Sequence, residues 1–287
     1  MCPRVAVDAE LRSRLENHLS HLVRDRDPYL ATAGYFFVRE YIRQHLSQWG
    51  SVTVQERKQP PLPIQNLILH LPGQRPQAAP ILVGAHYDAV LGSPGADDNA
   101  SGVAVLLELA RWLTQHPPVH PVILVAFDLE EYGLQGSSAF VEEWRSHQRP
   151  LRLMLSLEML GYCDRTPGSQ RYPPGLARFY PNRGDFIALV GNLTTLPDLI
   201  RLSRHINRSG TSCQWLPVPL RGRGVPDTRR SDHVPFWDAG YRAIMVTDTA
   251  NLRNPHYHQD SDRLPTLDLD FLTGVCQGLS VGLSALS

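Results

Sequence analysis

The hydrophobic positions of the first 50 residues recur with the period of an α-helix. Four leucines share one face of a first predicted helix, whose start Asp8 is placed to cap: Leu11, Leu15, Leu19 and Leu22. A second helix is predicted from about residue 33 to Gly50, because its apolar side chains repeat at the same spacing. Residues 1–50 are therefore expected to form helices that pack on the rest of the chain.

Beyond residue 50 the pattern changes to short apolar runs that alternate with amphipathic segments. Strands are predicted in seven segments: SVTVQER, QNLILHLP, PILVGAH, PVILVAFDLEE, LRLMLSLEML, DFIALVG and YRAIMVTD. Helices are predicted between several of these strands and from about Leu267 to the end. This alternation is typical of an α/β fold with a mostly parallel, mixed central sheet sandwiched by helices. Two long loops, 162–182 and 217–231, do not resemble linkers, so we expect a single domain over residues 1–287.

Composition and charge narrow the classes of function. The chain carries 28 Lys plus Arg and 28 Asp plus Glu, and this balance favours neither a nucleic acid nor a membrane surface as partner. No apolar run reaches the length of about 18 residues that a membrane span needs. The N-terminus lacks the apolar core of a signal peptide, so a cytoplasmic location is expected. The sequence predicts no oligomeric state.

The four cysteines are widely spaced and form no CxxC pair: Cys2, Cys163, Cys213 and Cys276. Reduced thiols fit this spacing best, with one disulfide left open.

Acidic and histidine side chains follow four predicted strands at the point where each strand ends. They are His86 with Asp88, Glu130 with Glu131, Glu158, and the group His256, His258, Asp260 and Asp262. Ligands of open α/β sheets bind at the carboxyl ends of the strands, so these side chains are expected to converge. Converging carboxylates repel one another unless cations lie among them. Histidines mixed with carboxylates suit a zinc-like divalent ion better than calcium or magnesium.

The number of candidate ligands favours two ions over one. Five side chains are candidates: His86, Asp98, Glu131, Glu158 and His258. If one carboxylate bridges the ions, each ion has three protein ligands and keeps a position for water, as in catalytic sites. Asp88 is placed to accept the other ring N–H of His86 and so to fix its tautomer.

Six short motifs occur in a specific order between about Ile81 and Asp262: HYD, GADDNASG, DLEEYG, LEMLG, SDHVPFWDAG and YHQDSD. This order resembles the co-catalytic zinc aminopeptidases of the bacterial leucyl aminopeptidase type. The resemblance implies a zinc-exopeptidase fold that holds two zinc ions and hydrolyses peptides with a free N-terminus. Cobalt or manganese stays open as the native metal.

The resemblance also implies roles for individual residues. One zinc would be held by His86 and Glu158, the other by Glu131 and His258, with Asp98 bridging both. Position 158 is most often Asp in this family, so the longer Glu158 is a departure that puts the occupancy of its metal position in question.

The remaining roles concern residues around the ions. Glu130 would be the general base, and Tyr257 could donate a hydrogen bond to the oxyanion. His258 is preferred to His256 as a ligand because it lies four residues before Asp262, which is the family's spacing. Asp262 is expected to support the metal ligands. In SDHVPFW, Asp232 is expected to support the site as the partner of the following histidine, His233.

Three alternatives stay open. A glutaminyl-peptide cyclotransferase-like acyltransferase would use one zinc, and the full set of five ligands argues against it. A carboxypeptidase would bind a terminal carboxylate through arginines of the second long loop, which is otherwise expected to be solvated: Arg221, Arg223, Arg229 and Arg230. A non-catalytic relative would have lost ligands or Glu130, and none is missing.

Overall fold

Two helices begin the described part of the chain, which covers residues 8–58 and 60–286 of a computed structural model. Helix α1 spans Ala9–Leu22 and helix α2 spans Thr32–Leu46. The Asp8 side chain accepts hydrogen bonds from the backbone N–H groups of Glu10 and Leu11, which confirms the predicted cap. The second helix is shorter than predicted, because it ends at Leu46 and the chain turns before Gly50.

Eight strands form one mixed sheet in the spatial order β1-β2-β4-β3-β5-β8-β6-β7. The strands are β1 Val52–Arg57, β2 Ile64–Leu71, β3 Ile81–His86, β4 Val122–Phe127, β5 Leu153–Glu158, β6 Phe186–Asn192, β7 Ser212–Val218 and β8 Ala243–Thr247. Parallel pairing joins β4, β3, β5 and β8, whereas β1, β2 and β6 enter as antiparallel neighbours. The predicted fold class, a mostly parallel mixed sheet, is confirmed.

Strand β7 is the one strand that the hydrophobic pattern does not predict. Its sequence, SCQWLPV, mixes polar residues and Pro217 with apolar ones, and its burial is irregular. Such a composition is tolerated because β7 pairs only with β6 and forms the edge of the sheet.

Helices cover both faces of the sheet. The remaining helices are α3 Gly102–Gln115, α4 Gln135–Ser146, α5 Leu196–Arg208, α6 His233–Asp238 and α7 Leu269–Ser284. Helices α1, α2, α3, α5 and α7 share one buried apolar cluster with the sheet, whereas α4 and α6 pack on the other face through Phe140, Phe236 and Trp237. No helix in the described residues is long and apolar enough to cross a membrane.

The central strands place the polar residues at one edge. Strands β3, β4 and β5 are buried along their whole length, which explains their continuous apolar runs. Because β4, β3, β5 and β8 run parallel, their carboxyl ends meet there.

The described cysteines, Cys163, Cys213 and Cys276, are free thiols. Cys2 lies outside the described residues, so the prediction about it stays a prediction.

Candidate metal centre

Two groups of histidine and carboxylate atoms lie at this edge and share one residue. In the first group, His86 Nε2 lies 3.3 Å from Asp98 Oδ1 and 3.6 Å from Glu158 Oε2. In the second, His258 Nε2 lies 3.1 Å from Asp98 Oδ2 and 3.2 Å from Glu131 Oε2. Asp98 therefore presents one carboxylate oxygen to each group.

The first group is buried, whereas His258 of the second group is partly exposed, and several atoms of both groups lack partners. His86 is 1% exposed and Asp98 is 3% exposed. Both ring nitrogens of His86, Asp98 Oδ1 and Glu131 Oε1 have no hydrogen-bond partner among the described residues. Buried polar atoms are costly when unpaired, and imidazole with carboxylate oxygens is a donor set of catalytic zinc sites. The residues of both groups therefore fit zinc.

The electrostatics of the groups point to a cation as well. Burial disfavours a charge on His86, but the carboxylates of Glu130 and Glu158 outweigh it and raise the pKa of His86 well above its usual range. Burial also opposes the charge of His258, yet Asp98 and Glu131 raise its pKa to about 10. Protons on these histidines thus compensate the carboxylates, and a divalent ion that displaced the protons would serve the same purpose.

Two nearby aspartates, Asp262 and Asp88, accept hydrogen bonds that fix the loops carrying the candidate ligands. The carboxylate of Asp262 accepts the backbone N–H groups of Asp97 and Asp98, at 3.0–3.2 Å. Asp88 accepts the backbone N–H groups of Glu130 and Glu131, each at 3.1 Å. Asp88 Oδ1 also lies 3.5 Å from His86 Nδ1, the nitrogen that it was expected to bind.

Glu130 lies among the same charged side chains, next to His86 and Glu131. It is 8% exposed, and burial, followed by Glu158 and Glu131, raises its pKa well above the usual range of a carboxyl. Its carboxylate also lies within 4.8 Å of ligand atoms of His86 and Glu131. The two adjacent glutamates thus both reach the centre.

The residues around Glu158 show that one predicted pair, Asp232 with His233, does not form. Ser231 Oγ donates to Glu158 Oε2 at 2.7 Å. Asp232 is fully buried, and its carboxylate interacts electrostatically with His86. His233 does not pair with Asp232, because its Nε2 hydrogen-bonds to the carbonyl oxygen of Thr228 at 2.8 Å. Burial lowers the pKa of His233 to about 4, so this histidine is a neutral residue of the fold rather than a partner of Asp232.

Arg230 connects the second long loop to the site. Its Nη2 donates to the Tyr257 hydroxyl at 2.9 Å, and its Nη1 donates to Asn251 Oδ1 at 2.9 Å. The Tyr257 ring stacks on the His258 imidazole with centroids 3.8 Å apart. By contrast, the side chains of Arg221 and Arg229 bind Asp238 at the end of α6.

A mainly apolar cavity of about 100 Å³ adjoins the metal centre. Glu158, Arg230 and Tyr257 belong to its lining. The apolar part of its lining includes Phe186, Ala188, Val190, Leu216, Leu252 and Met245. The cavity therefore offers an uncharged side chain a binding place next to the first group of ligands.

Three residues at the centre have a strained backbone conformation, as do several non-glycine residues elsewhere in the described chain. Leu129 precedes Glu130, Met159 follows Glu158, and these two residues and His258 have positive φ angles of 51–58°. Each such conformation costs about 1–3 kcal/mol in a residue other than glycine. Strained residues of this kind cluster at functional sites, where the surrounding structure holds them.

Sequence reasoning did not find several residues that support the centre: Arg26, Asp97, Ser231 and Asn254. Asp97 Oδ2 accepts a hydrogen bond from Asn254 Nδ2, and Asp97 Oδ1 accepts one from the backbone N–H of Gly161. The adjacency of Asp97 and Ser231 to predicted site residues was the one available signal. Arg26 and Asn254 reach the site through long-range contacts that have no local pattern.

These groups, at the carboxyl edge of a mixed sheet, form a candidate metal centre. The sequence pattern of peptidase family M28 matches residues 66–190. The uncharacterized protein YfbL of Escherichia coli is 38% identical over 255 residues, which cover 84% of this chain and 77% of that protein. The chain belongs to peptidase family M28, which implies peptide substrates, and its relatives support a metal-dependent aminopeptidase.

More distant relatives are larger proteins. Leucine aminopeptidase 1 of Grosmannia clavigera is 25% identical, with 94% of this chain and 68% of that protein covered. A probable zinc metalloprotease of Pyrenophora tritici-repentis is 28% identical, with 75% of this chain covered. The match covers 50% of the length of that metalloprotease, so this chain spans about half of it.

Solved structures show the same fold. The zinc aminopeptidase BSAP of Bacillus subtilis aligns with a TM-score of 0.56 at 26% identity, covering 77% of this chain and 50% of that chain. A glutaminyl cyclase of Fimbriiglobus ruber aligns with a TM-score of 0.73 at 18% identity, covering 98% of this chain and 96% of that chain. The second likeness concerns the fold alone.

Proposed function

We propose that this protein is a two-zinc aminopeptidase that releases N-terminal residues from peptides. The observation that carries the proposal is the pair of histidine–carboxylate groups that share Asp98. The names of the relatives, which include a probable zinc metalloprotease and a zinc aminopeptidase, support zinc as the metal. Two groups of three residues support a count of two ions.

In this proposal each ion has three protein ligands. His86, Asp98 and Glu158 would hold the first ion, and Asp98, Glu131 and His258 would hold the second. Bound zinc supplies Lewis acidity for the scissile carbonyl and lowers the pKa of water. Asp88 and Asp262 support the ligands by fixing the backbone around them.

Glu130 is proposed as the general base. It lies beside the ligand groups, and a buried carboxylate with a raised pKa is suited to taking a proton near neutral pH. It would take a proton from the attacking water and pass it to the leaving amine.

Tyr257 is proposed to donate a hydrogen bond to the oxyanion that develops on the carbonyl. Burial raises the pKa of its phenol, so the hydroxyl stays protonated and able to donate. Its contacts with Arg230 and His258 hold the ring beside the second ligand group.

The substrate would enter by its N-terminus. Its free amino group is proposed to lie near Glu158, and its first side chain would enter the adjoining apolar cavity. This cavity favours an uncharged, apolar first residue, because burying a charge there costs free energy.

The direct test compares blocked and unblocked peptides. A peptide with an apolar first residue and an amidated C-terminus should be cleaved with release of that residue, and N-acetylation should suppress the reaction. Zinc content is measured on the same preparation by elemental analysis. Equal rates on both peptides would contradict an aminopeptidase.

Matched substrates distinguish the two alternative activities. Cleavage that requires a free C-terminal carboxylate would favour the carboxypeptidase. Conversion of an N-terminal glutamine to a cyclic product, with release of ammonia and no amino acid, would favour the cyclotransferase.

A further inference from the structure

Arg26 is a buried arginine in the segment between α1 and α2, and its guanidinium lies against the loop that carries candidate metal ligands. The residue is 1% exposed. Its Nε donates to the carbonyl oxygen of Tyr87 at 2.9 Å, and its Nη1 donates to that of Pro94 at 2.6 Å. Its Nη2 donates to the carbonyl oxygens of Gly95 and Asp98, at 2.9 and 3.0 Å.

These acceptors are spread along one functional segment. Tyr87 directly follows the ligand His86, and Asp98 is the residue that the two ligand groups share. One guanidinium therefore binds both ends of the 87–98 segment, which runs from the residue after the candidate ligand His86 to the candidate ligand Asp98. Such a planar group with five donors suits several fixed acceptors at once.

The bonds of Arg26 go to the main chain. Within the described residues its guanidinium is not part of an ion pair with any carboxylate. An arginine guanidinium stays protonated in proteins, and the carboxylates of Asp98, Asp262 and Asp88 lie near it. The arginine is thus a fixed positive charge beside the carboxylates of the centre.

The 87–98 segment packs closely against this guanidinium at Gly95. Gly95 has a φ angle of 57°, in the left-handed region that favours glycine. A Cβ atom at Gly95 would lie 2.1 Å from the carbonyl oxygen of Asp98 and 2.6 Å from Arg26 Nη2. The space that a side chain would need at this position is therefore filled by Arg26 and the loop itself.

We propose that Arg26 is a positioning residue, which holds the 87–98 segment so that His86 and Asp98 present their ligand atoms together before metal binds. The hydrogen bonds fix the backbone at both ligands, and the positive charge reduces the repulsion among the carboxylates. The inference rests on the proposed metal centre but not on the proposed substrate. A residue that orients metal ligands in this way contributes to metal affinity.

The test measures zinc affinity by competition with a chromogenic chelator for Arg26→Met and Arg26→Lys. Methionine keeps much of the stem but removes the charge and all donors, so zinc affinity should fall by about 10–100-fold. Lysine restores the charge and up to three donors, so the loss should be smaller. The absorption spectrum of the cobalt-substituted protein should change in Arg26→Met, because the ligand geometry is altered.

Two control variants separate positioning from general stability. Arg24 lies two residues earlier, where its guanidinium packs over Phe37 and its Nε binds the carbonyl oxygen of His21. Arg24→Met should therefore retain wild-type zinc affinity. Leu279 is a fully buried residue of α7, so Leu279→Ala should destabilise the fold without changing zinc affinity or the cobalt spectrum.

The outcomes are distinguishable. Wild-type zinc affinity and an unchanged cobalt spectrum in Arg26→Met would overturn the role of Arg26. An equal loss of affinity in Leu279→Ala would overturn it too, because the effect would then follow stability. If Arg26→Met does not fold, Arg26→Lys decides, and wild-type affinity in that variant would count against the proposal. A wild-type protein that binds no zinc would overturn both the proposed function and the role of Arg26. The results for the Arg26 variants concern only the role of Arg26.

Discussion

At the scale of single residues, Glu130 and Glu131 are neighbours with different proposed tasks. Both follow β4, and the backbone N–H groups of both bind Asp88, so their positions are fixed together. Their side chains differ in partners, because Glu131 Oε2 lies 3.2 Å from His258 Nε2 and burial raises the Glu131 pKa to about 7. One motif can thus supply a ligand and a base.

The pair gives a prediction about turnover and metal content. Glu130→Gln keeps the volume of the side chain but cannot accept a proton at neutral pH. It should lower kcat by about 10²–10⁴-fold while zinc content stays at the wild-type level. Glu131→Gln should instead lower zinc affinity, and added zinc should partly restore its activity. Both variants are measured for zinc stoichiometry and turnover across a zinc titration.

The reverse result would exchange the two roles: a Glu130→Gln variant that loses zinc and recovers with added metal, beside a metal-replete but inactive Glu131→Gln. If both variants keep their zinc and turn over near the wild-type rate, neither glutamate acts in the reaction.

At the scale of elements, a buried carboxylate joins helix α1 to helix α3. Glu108 on α3 is 3% exposed and accepts hydrogen bonds from Arg14 Nε on α1 and from Arg111 Nε, at 3.0–3.2 Å. His18 Nε2 lies 3.5 Å from Glu108 Oε1. Burial alone would raise the pKa of Glu108, but the bonds from His18, Arg111 and Arg14 hold it at about 2.

This network predicts a stability effect that depends on pH. Glu108→Gln should lower the free energy of unfolding by about 1.5–3 kcal/mol at pH 7, because hydrogen bonds to a charged group are lost. The pKa of Glu108 is lowered in the folded state, so its contribution is present above the usual range of a glutamate and is lost as the pH falls towards 2. The gap between wild type and variant should therefore narrow below about pH 4.5 in urea unfolding experiments.

Glu10 provides the matched control for this network. Its side chain is 91% exposed and lies 3.8 Å from the same Arg14, so Glu10→Gln should leave stability nearly unchanged. A gap between wild type and Glu108→Gln that persists unchanged at low pH would contradict the ionised carboxylate.

The elements also show which parts of the molecule the sequence pattern could predict. Strands such as β3 were predictable because burial on both faces requires a continuous apolar run. The candidate ligands were predictable because each follows such a strand or matches a family motif. Edge strand β7 was not, since its mixture of polar and apolar residues and its irregular burial give no regular pattern. Arg26 was not predictable either, because its burial depends on carbonyl oxygens 61–72 residues away in sequence.

At the scale of the whole molecule, the candidate metal centre brings together charged side chains at or just after the ends of β3, β4 and β5 with Asp98 and His258 from two connecting segments. Without cations, the carboxylates of this cluster repel one another, and protonated His86 and His258 compensate them only in part. A ligand that binds only the folded state stabilises it by an amount set by its affinity and concentration. Metal binding and global stability should therefore be coupled.

Metal removal is the last prediction. Chelation of the zinc-loaded protein should lower Tm, because an ion present at 100 times its Kd contributes about 2.7 kcal/mol to the folded state. For a chain of 287 residues that corresponds to a decrease of roughly 4–5 °C per ion in differential scanning calorimetry. Added zinc should restore Tm, whereas magnesium should not, since it prefers oxygen ligands in octahedral geometry. Glu130→Gln should keep the full zinc-dependent shift and Glu131→Gln should lose part of it, because only Glu131 is proposed as a ligand. An identical Tm with and without chelator would show that the centre does not bind metal as proposed.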